Sequence, residues 1–158
     1  RRSQGGNNNT WCQNNPLGWM HWQPDGDDQA LHTYLQRLIA LRQRLAPLLN
    51  PDHPRPHWHG VELNKPDWAA WSHTLAWSLH GPQGQSLVWC GMNAYCKAMH
   101  FDLPSSSNGW LRWIDTALPP GDDLPAEPTR WEPSSAPLES RSLMLLVNPD
   151  VLHTTTAA

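Results

Sequence analysis

Apolar residues recur at helical steps in one early stretch of the chain and at strand steps through most of residues 74–147. Leu31, Leu35, Leu38, Leu45 and Leu49 return every three or four positions, and Ile39 and Leu41 widen the stripe. That period belongs to an amphipathic helix, and the spacing predicts one over 28–46. Asp27 or Asp28 stands where a carboxylate can accept from the free N–H groups of the first turn and suit the positive end of the helix dipole. Arg37 and Arg44 fall away from the centre of the stripe, and Pro47, with Asn50-Pro51 beyond it, sets the stop. Residues 1–26 carry no such period. Gly5-Gly6, Asn7, Asn8, Asn9, Pro16, Gly18, Pro24 and Gly26 are turn formers, so the segment reads as loop.

Past the helix, residues 51–73 form a connector rich in proline and histidine, with a short strand expected near Val61–Leu63 and a helical turn at Asp67–Trp71. Short apolar runs then predict strands at Leu75–His80, Leu87–Asn93, Ala98–Leu103, Trp110–Asp115 and Ser142–Val147. In the third, Met99, Phe101 and Leu103 share one face while His100 and Asp102 take the other. Only Ala94–Lys97 separate the second and third runs, which predicts a hairpin. Residues 118–139 are rich in Pro, Asp and Ser and read as loop, with a short pairing around Trp131. The expected fold is mainly β: an antiparallel sandwich over 74–150, preceded by an irregular loop and one amphipathic helix within 1–50, and ending in a tail over 151–158.

Charge narrows the function classes. Eleven Lys and Arg face fourteen Asp and Glu, a net charge of -3, which argues against a nucleic-acid partner. No run approaches the ~20 apolar residues of a membrane helix, so no membrane partner is expected. Three cysteines, Cys12, Cys90 and Cys96, cannot all pair with one another and read as reduced thiols of a cytoplasmic protein.

Candidate chemistry is sparse. Asp102, Asp115, Asp122, Asp123, Glu132 and Glu139 sit in no local motif for paired-carboxylate catalysis and read as surface groups. His53, His57 and His59 lie close in sequence, but the Cys and His spacing fits no compact zinc set, so no metal site is assigned. No nucleophile elbow or phosphate loop is present, so neither catalytic nor cofactor-binding residues are assigned and no cofactor is expected. Tryptophan is the unusual feature: eleven stand against two tyrosines and one phenylalanine. An indole face can stack on a sugar ring, and Trp58, Trp68 and Trp71, in the connector, are the candidate glycan contacts. Trp77, Trp89, Trp110 and Trp113 read instead as sandwich core. Trp11, Trp19 and Trp22 are expected to pack the N-terminal loop against a surface, whether of this chain or of one outside it.

The run from Arg2 through Gly5-Gly6-Asn7-Asn8-Asn9-Thr10-Trp11-Cys12-Gln13, with Trp19-Met20-His21-Trp22 beyond it, resembles bacterial glycogen-debranching enzymes and isoamylases of the α-amylase superfamily. In that family a similar run comes after the eighth strand of a (β/α)8 barrel. Leu38-Ile39-Ala40-Leu41-Arg42 resembles its last barrel helix. Asn93-Ala94, Phe101-x-Leu103-Pro104, Trp113-Ile114-Asp115-Thr116-Ala117 and Arg141-Ser142-Leu143 resemble, in order, its C-terminal sandwich. Asn14, Pro16 and His21 stand where the family usually has acidic residues.

The resemblance implies a parent that hydrolyses α-1,6 branch linkages by a retaining two-carboxylate mechanism. The family's three catalytic carboxylates lie on barrel strands four, five and seven, before the segment matched here. None is carried by this chain. The chain is therefore expected to be a C-terminal piece, inactive alone, whose partners are the barrel of the parent and α-glucan. A glycan-binding module built on exposed, coplanar tryptophans is the alternative.

Overall fold

Residues 4–7, 9–12, 14–19, 22–23, 25–49 and 55–153 are described by the computed structural model. The leucine stripe forms α1, Gly26–Arg44. Its N-cap is Asp25, whose Oδ1 accepts from the Asp28 N–H at 2.9 Å. The cap therefore stands earlier than expected, and Asp27 and Asp28 become first-turn charges that suit the dipole. A 3-10 turn, Ala46–Leu49, absorbs Pro47 after the helix ends. The expected stop signal at Asn50-Pro51 lies outside the described residues.

Among the described residues eight strands come after the helix, more than the sequence pattern predicts: β1 His57–His59, β2 Thr74–His80, β3 Ser86–Asn93, β4 Met99–Asp102, β5 Trp110–Asp115, β6 Thr129–Trp131, β7 Ser135–Leu138 and β8 Ser142–Val147. A one-turn helix, α2 Asp150–His153, stands where no element was expected, and its Val151 is buried. Six strands make one antiparallel sheet in the order β1-β2-β3-β8-β5-β6, and β4 pairs with β7 in a second.

Several expectations need correction. The hairpin between the second and third expected strands does not form. Both edges of β3 are already taken, by β2 and by β8, so β4 leaves for the second sheet. The first short strand is His57–His59 rather than Val61–Leu63, because that segment lies opposite Ala76–Ser78 of β2. Asp67–Trp71 is not helical; a turn closes there with the Ser72 N–H donating to Ala69 O at 2.9 Å. The 118–139 stretch holds β6 around Trp131, as expected, and also β7.

Both faces of the large sheet are covered. On one, Val88, Cys90, Leu145 and Val147 pack with Leu41 of α1 and with Leu45 at its C-cap. On the other, Trp89, Met144 and Leu146 pack with Phe101, Ala136 and Leu138 of the small sheet. Strand alternation sorts these sets, since neighbours along a strand point to opposite faces. A bulge between Arg112 and Ile114 breaks the alternation in β5, so that Trp113 and Ile114 both join the helix-side core. The predicted alternation in β4 holds: Phe101 is buried while His100 and Asp102 are exposed. The outcome is three layers, α1 on the six-stranded sheet on the two-stranded sheet. Among the described residues no helix is long and apolar enough to cross a membrane.

Candidate functional site

The edge strand β1 and the loop after it carry the candidate aromatic residues. Pro56 precedes β1, and an edge is where a residue without an N–H is tolerated. Trp58 lies directly opposite Trp77, so both side chains stand on the α1 side of the sheet. Asp67 shapes the turn after the strand by accepting from the Ala69 N–H at 3.0 Å. Trp58, Trp68 and Trp71 are 41%, 65% and 78% exposed. Trp58 and Trp68 meet edge to face, with ring centroids 5.7 Å apart and planes at 72°. They form an angled corner, not a flat platform.

The opposite side of the same strand pair is polar and closed. His59 Nε2 and His80 Nε2 both lie 2.8 Å from Ser78 Oγ. The Asn64 N–H donates to His59 Nδ1 at 2.9 Å. His57 stacks on His80 at 4.3 Å. Burial, then the neighbouring His80 and His57, hold the His59 pKa below its ordinary value. This hydrogen-bond chain is not legible in the sequence; the only signal is that His57 and His59, two positions apart on a strand, share a face. His53 lies outside the described residues. Among the described residues, no group of three or more His, Cys, Asp or Glu is arranged to hold a metal ion.

The other chemistry-bearing side chains are dispersed. Asp123 Oδ1 accepts from the N–H groups of Gly121 and Leu124, and Asp115 Oδ1 from that of Ala117, so both shape turns. Glu132 faces Arg130 at 3.6 Å on the surface, and Asp102, Asp122 and Glu139 are exposed. Cys12 and Cys96 are exposed free thiols and Cys90 is a buried one.

A second set of exposed apolar residues is larger. The inner arc of α1 contributes Leu38, Leu41 and Leu45 to the core, with Tyr34 beside them. Arg37 and Arg44 stand at the margin of that arc, away from its centre as expected. Arg37 Nη1 donates to Leu124 O at 2.8 Å, and the Arg44 guanidinium lies 5.4 Å from the Trp113 ring centroid. The stripe read from the sequence is thereby divided: Leu31, Leu35 and Ile39 on the outer arc, and Leu49 in the turn after it, remain exposed. Trp11, Trp19 and Trp22 are exposed too, at 95%, 53% and 85%, so of the two expected surfaces the one on this chain does not cover them among the described residues. Trp19 Nε1 donates to Asn14 Oδ1 at 2.9 Å.

Comparison with known proteins bears on these surfaces. Residues 57–143 match the sequence family described as Isoamylase 1-3, C-terminal. An isoamylase of Flavobacterium sp. is 30% identical over an alignment of 173 residues, covering 92% of this chain and 22% of that protein. The chloroplastic isoamylase 1 of Oryza sativa subsp. japonica is 28% identical over 132 residues, 78% of this chain and 16% of the relative. The glycogen debranching enzyme of Dickeya chrysanthemi is 35% identical over 82 residues, 46% of this chain and 12% of the relative. The chain thus spans less than a quarter of the length of these relatives.

Proposed function

Because the chain belongs to the isoamylase C-terminal domain family, we propose that it is the C-terminal part of a hydrolase that cleaves α-1,6 branch linkages in glycogen-type glucans. Its own role is to support a catalytic barrel supplied by the rest of the parent chain. In this reading residues 1–50 are the last loop and helix of that barrel, 51–73 a connector, and the sandwich runs from 74 to about 150.

The observation that carries the reading is the division of α1. Its inner arc seals the sheet, while its outer side leaves Leu31, Leu35, Ile39 and Leu49 in water, and Trp11 and Trp22 are exposed as well. An apolar surface of this kind marks a contact with another domain. The same reading puts the protein in a reducing, cytoplasmic compartment, which suits its exposed and unpaired Cys12 and Cys96.

A self-standing glycan-binding module is not favoured, because Trp58 and Trp68 meet edge to face and offer no flat stacking surface. As auxiliary contacts to α-glucan within the parent, Trp58, Trp68 and Trp71 are supported by their exposure. Titrating glycogen and a branched maltooligosaccharide into the chain tests both roles, with Trp fluorescence and reducing-sugar release as readouts. The expected result is no release. A small fluorescence change, lost in Trp68→Ala and Trp71→Ala, would support the auxiliary contact. Release of reducing sugar that survives rigorous purification overturns the proposal, since the chain carries none of the family's catalytic carboxylates.

A further inference from the structure

We propose that the His59–Ser78–His80 hydrogen-bond chain is an acid-sensitive latch that holds the edge strand β1, and Trp58 on it, against the rest of the large sheet. The direction of every bond in the chain is fixed by its two ends. At one end the Asn64 backbone N–H, a pure donor, points at His59 Nδ1 at 2.9 Å. Nδ1 must therefore be unprotonated, and the ring proton sits on Nε2, which donates to Ser78 Oγ at 2.8 Å. At the other end His80 Nδ1 lies 3.1 Å from Gly84 O, a pure acceptor, so that nitrogen carries the proton. His80 Nε2 then accepts from the Ser78 hydroxyl at 2.8 Å. Each hydrogen has one acceptor, and all parts are satisfied only while His59 is neutral.

His80 is half-buried, whereas His59 is enclosed. A proton added at His59 Nδ1 meets the Asn64 N–H head on, donor against donor, in a site where His59 and Ser78 are 2% and 0% exposed. Relief requires the loop 60–65 or β1 itself to move. That loop is held tightly: Asn64 adopts φ 59°, a left-handed conformation that asparagine tolerates, and a Cβ at Gly60 would overlap Lys65 O. The Asp102 N–H donates to Val61 O at 2.8 Å, tying the loop to β4. Motion is easier at β1, which has three residues and one edge unpaired among the described residues.

The charges around the latch do not oppose this. His57 on β1 and His80 on β2 both act against a charged His59. On the loop, Glu62 is engaged with Lys65 at 2.6 Å, and Asp67 accepts from the Ala69 N–H. Arg55 ahead of β1 and His100 and Asp102 on β4 are exposed. Burial keeps the folded His59 pKa below its ordinary value. The latch is therefore complete above about pH 6.5 and is lost as pH falls through the lowered folded pKa.

Hydrogen exchange on the 158-residue chain, corrected for the intrinsic effect of pH on exchange, tests this from about pH 8 to about pH 5. The His57–His59 and Asn64 amides are expected to lose protection by about tenfold per pH unit once His59 titrates. Amides of β3 and β8 keep theirs. In His59→Gln the side-chain oxygen can accept from Asn64 and the amide can donate to Ser78, with nothing to titrate, so the acid loss disappears. Unchanged protection of β1 in the wild-type chain, or an equal acid loss in His59→Gln, overturns the proposal. Should His59→Gln fail to fold, imidazole 15N spectra of the wild-type chain decide. A neutral His59 ring protonated at Nε2 is expected, and a charged ring or an Nδ1–H tautomer at neutral pH overturns it.

Discussion

Gly91 has no room for a side chain. A Cβ there would overlap the indole of Trp89, two residues back on the same face of β3 and fully buried. Gly91→Ala is therefore expected to destabilise the chain by about 1–3 kcal/mol, the usual cost of overpacking, read as a lower urea midpoint. Asn93 closes the same strand. Its Nδ2 lies 2.9 Å from Lys97 O, 3.2 Å from Leu138 O and 2.9 Å from Glu139 O, and its Oδ1 accepts from the Tyr95 N–H. Asn93→Ala leaves these groups without that partner at the junction of the two sheets and is expected to cost about 1–3 kcal/mol. Thiol chemistry separates the cysteines: Cys12 and Cys96 should label in the folded state, and Cys90, buried and with its pKa pushed up to about 12, only on unfolding. Labelling of all three at one rate would contradict the core as described. At this scale the sequence is informative where a strand fixes the alternation. Trp89, Trp110 and Trp113 are buried as expected, and Trp77 is half-buried. In irregular segments no period exists to say which way an indole points. Trp11 and Trp22 are exposed on this chain, and the Ser78 partner of His59 comes from a strand nineteen residues away.

At the scale of elements, the existence of α1 is legible in the sequence and its orientation is not. Residues 31–49 spread apolar side chains over an arc too wide for one contact, and a single sequence does not mark which half is covered. The structure covers the half with Leu41 and Leu45 and uses Arg37 and Arg44, long side chains with aliphatic stems, at its margin. The two arcs should answer differently to truncation. Leu41→Ala is expected to cost about 2–5 kcal/mol, as a buried leucine does. Ile39→Ala on the outer arc should change stability by no more than about 0.5 kcal/mol. Equal effects in thermal melts would mean that α1 does not pack on the sheet as described. The failed hairpin has a different cause. A short gap between two apolar runs is a sound local signal, but a strand has only two edges, and β3 spends both on β2 and β8. β8 reaches it from the far end of the sandwich, beyond β4 to β7. Competition of that kind is not written in any window short enough to read by eye.

For the whole molecule, the asymmetry of the two sheet faces decides what can be removed. The small sheet covers one face with Phe101, Ala136 and Leu138, all from within the sandwich. The other face depends on residues before the connector, because Leu41 and Leu45 complete the cluster around Cys90, Trp113, Leu145 and Val147. α1 therefore belongs energetically to the sandwich even though, in the proposed parent, its outer arc belongs to the barrel. A helix shared between two cores couples them, since displacing it from either one exposes apolar surface. Two truncations test this. A chain beginning at Asp25 keeps the N-cap and the inner arc and is expected to melt cooperatively near the full-length temperature. A chain beginning at Arg55 uncovers the Trp113 face and is expected to bind an apolar dye and lose its cooperative transition, as a sheet with one bare face does. If the second truncation melts as sharply as the first, the sandwich does not need α1.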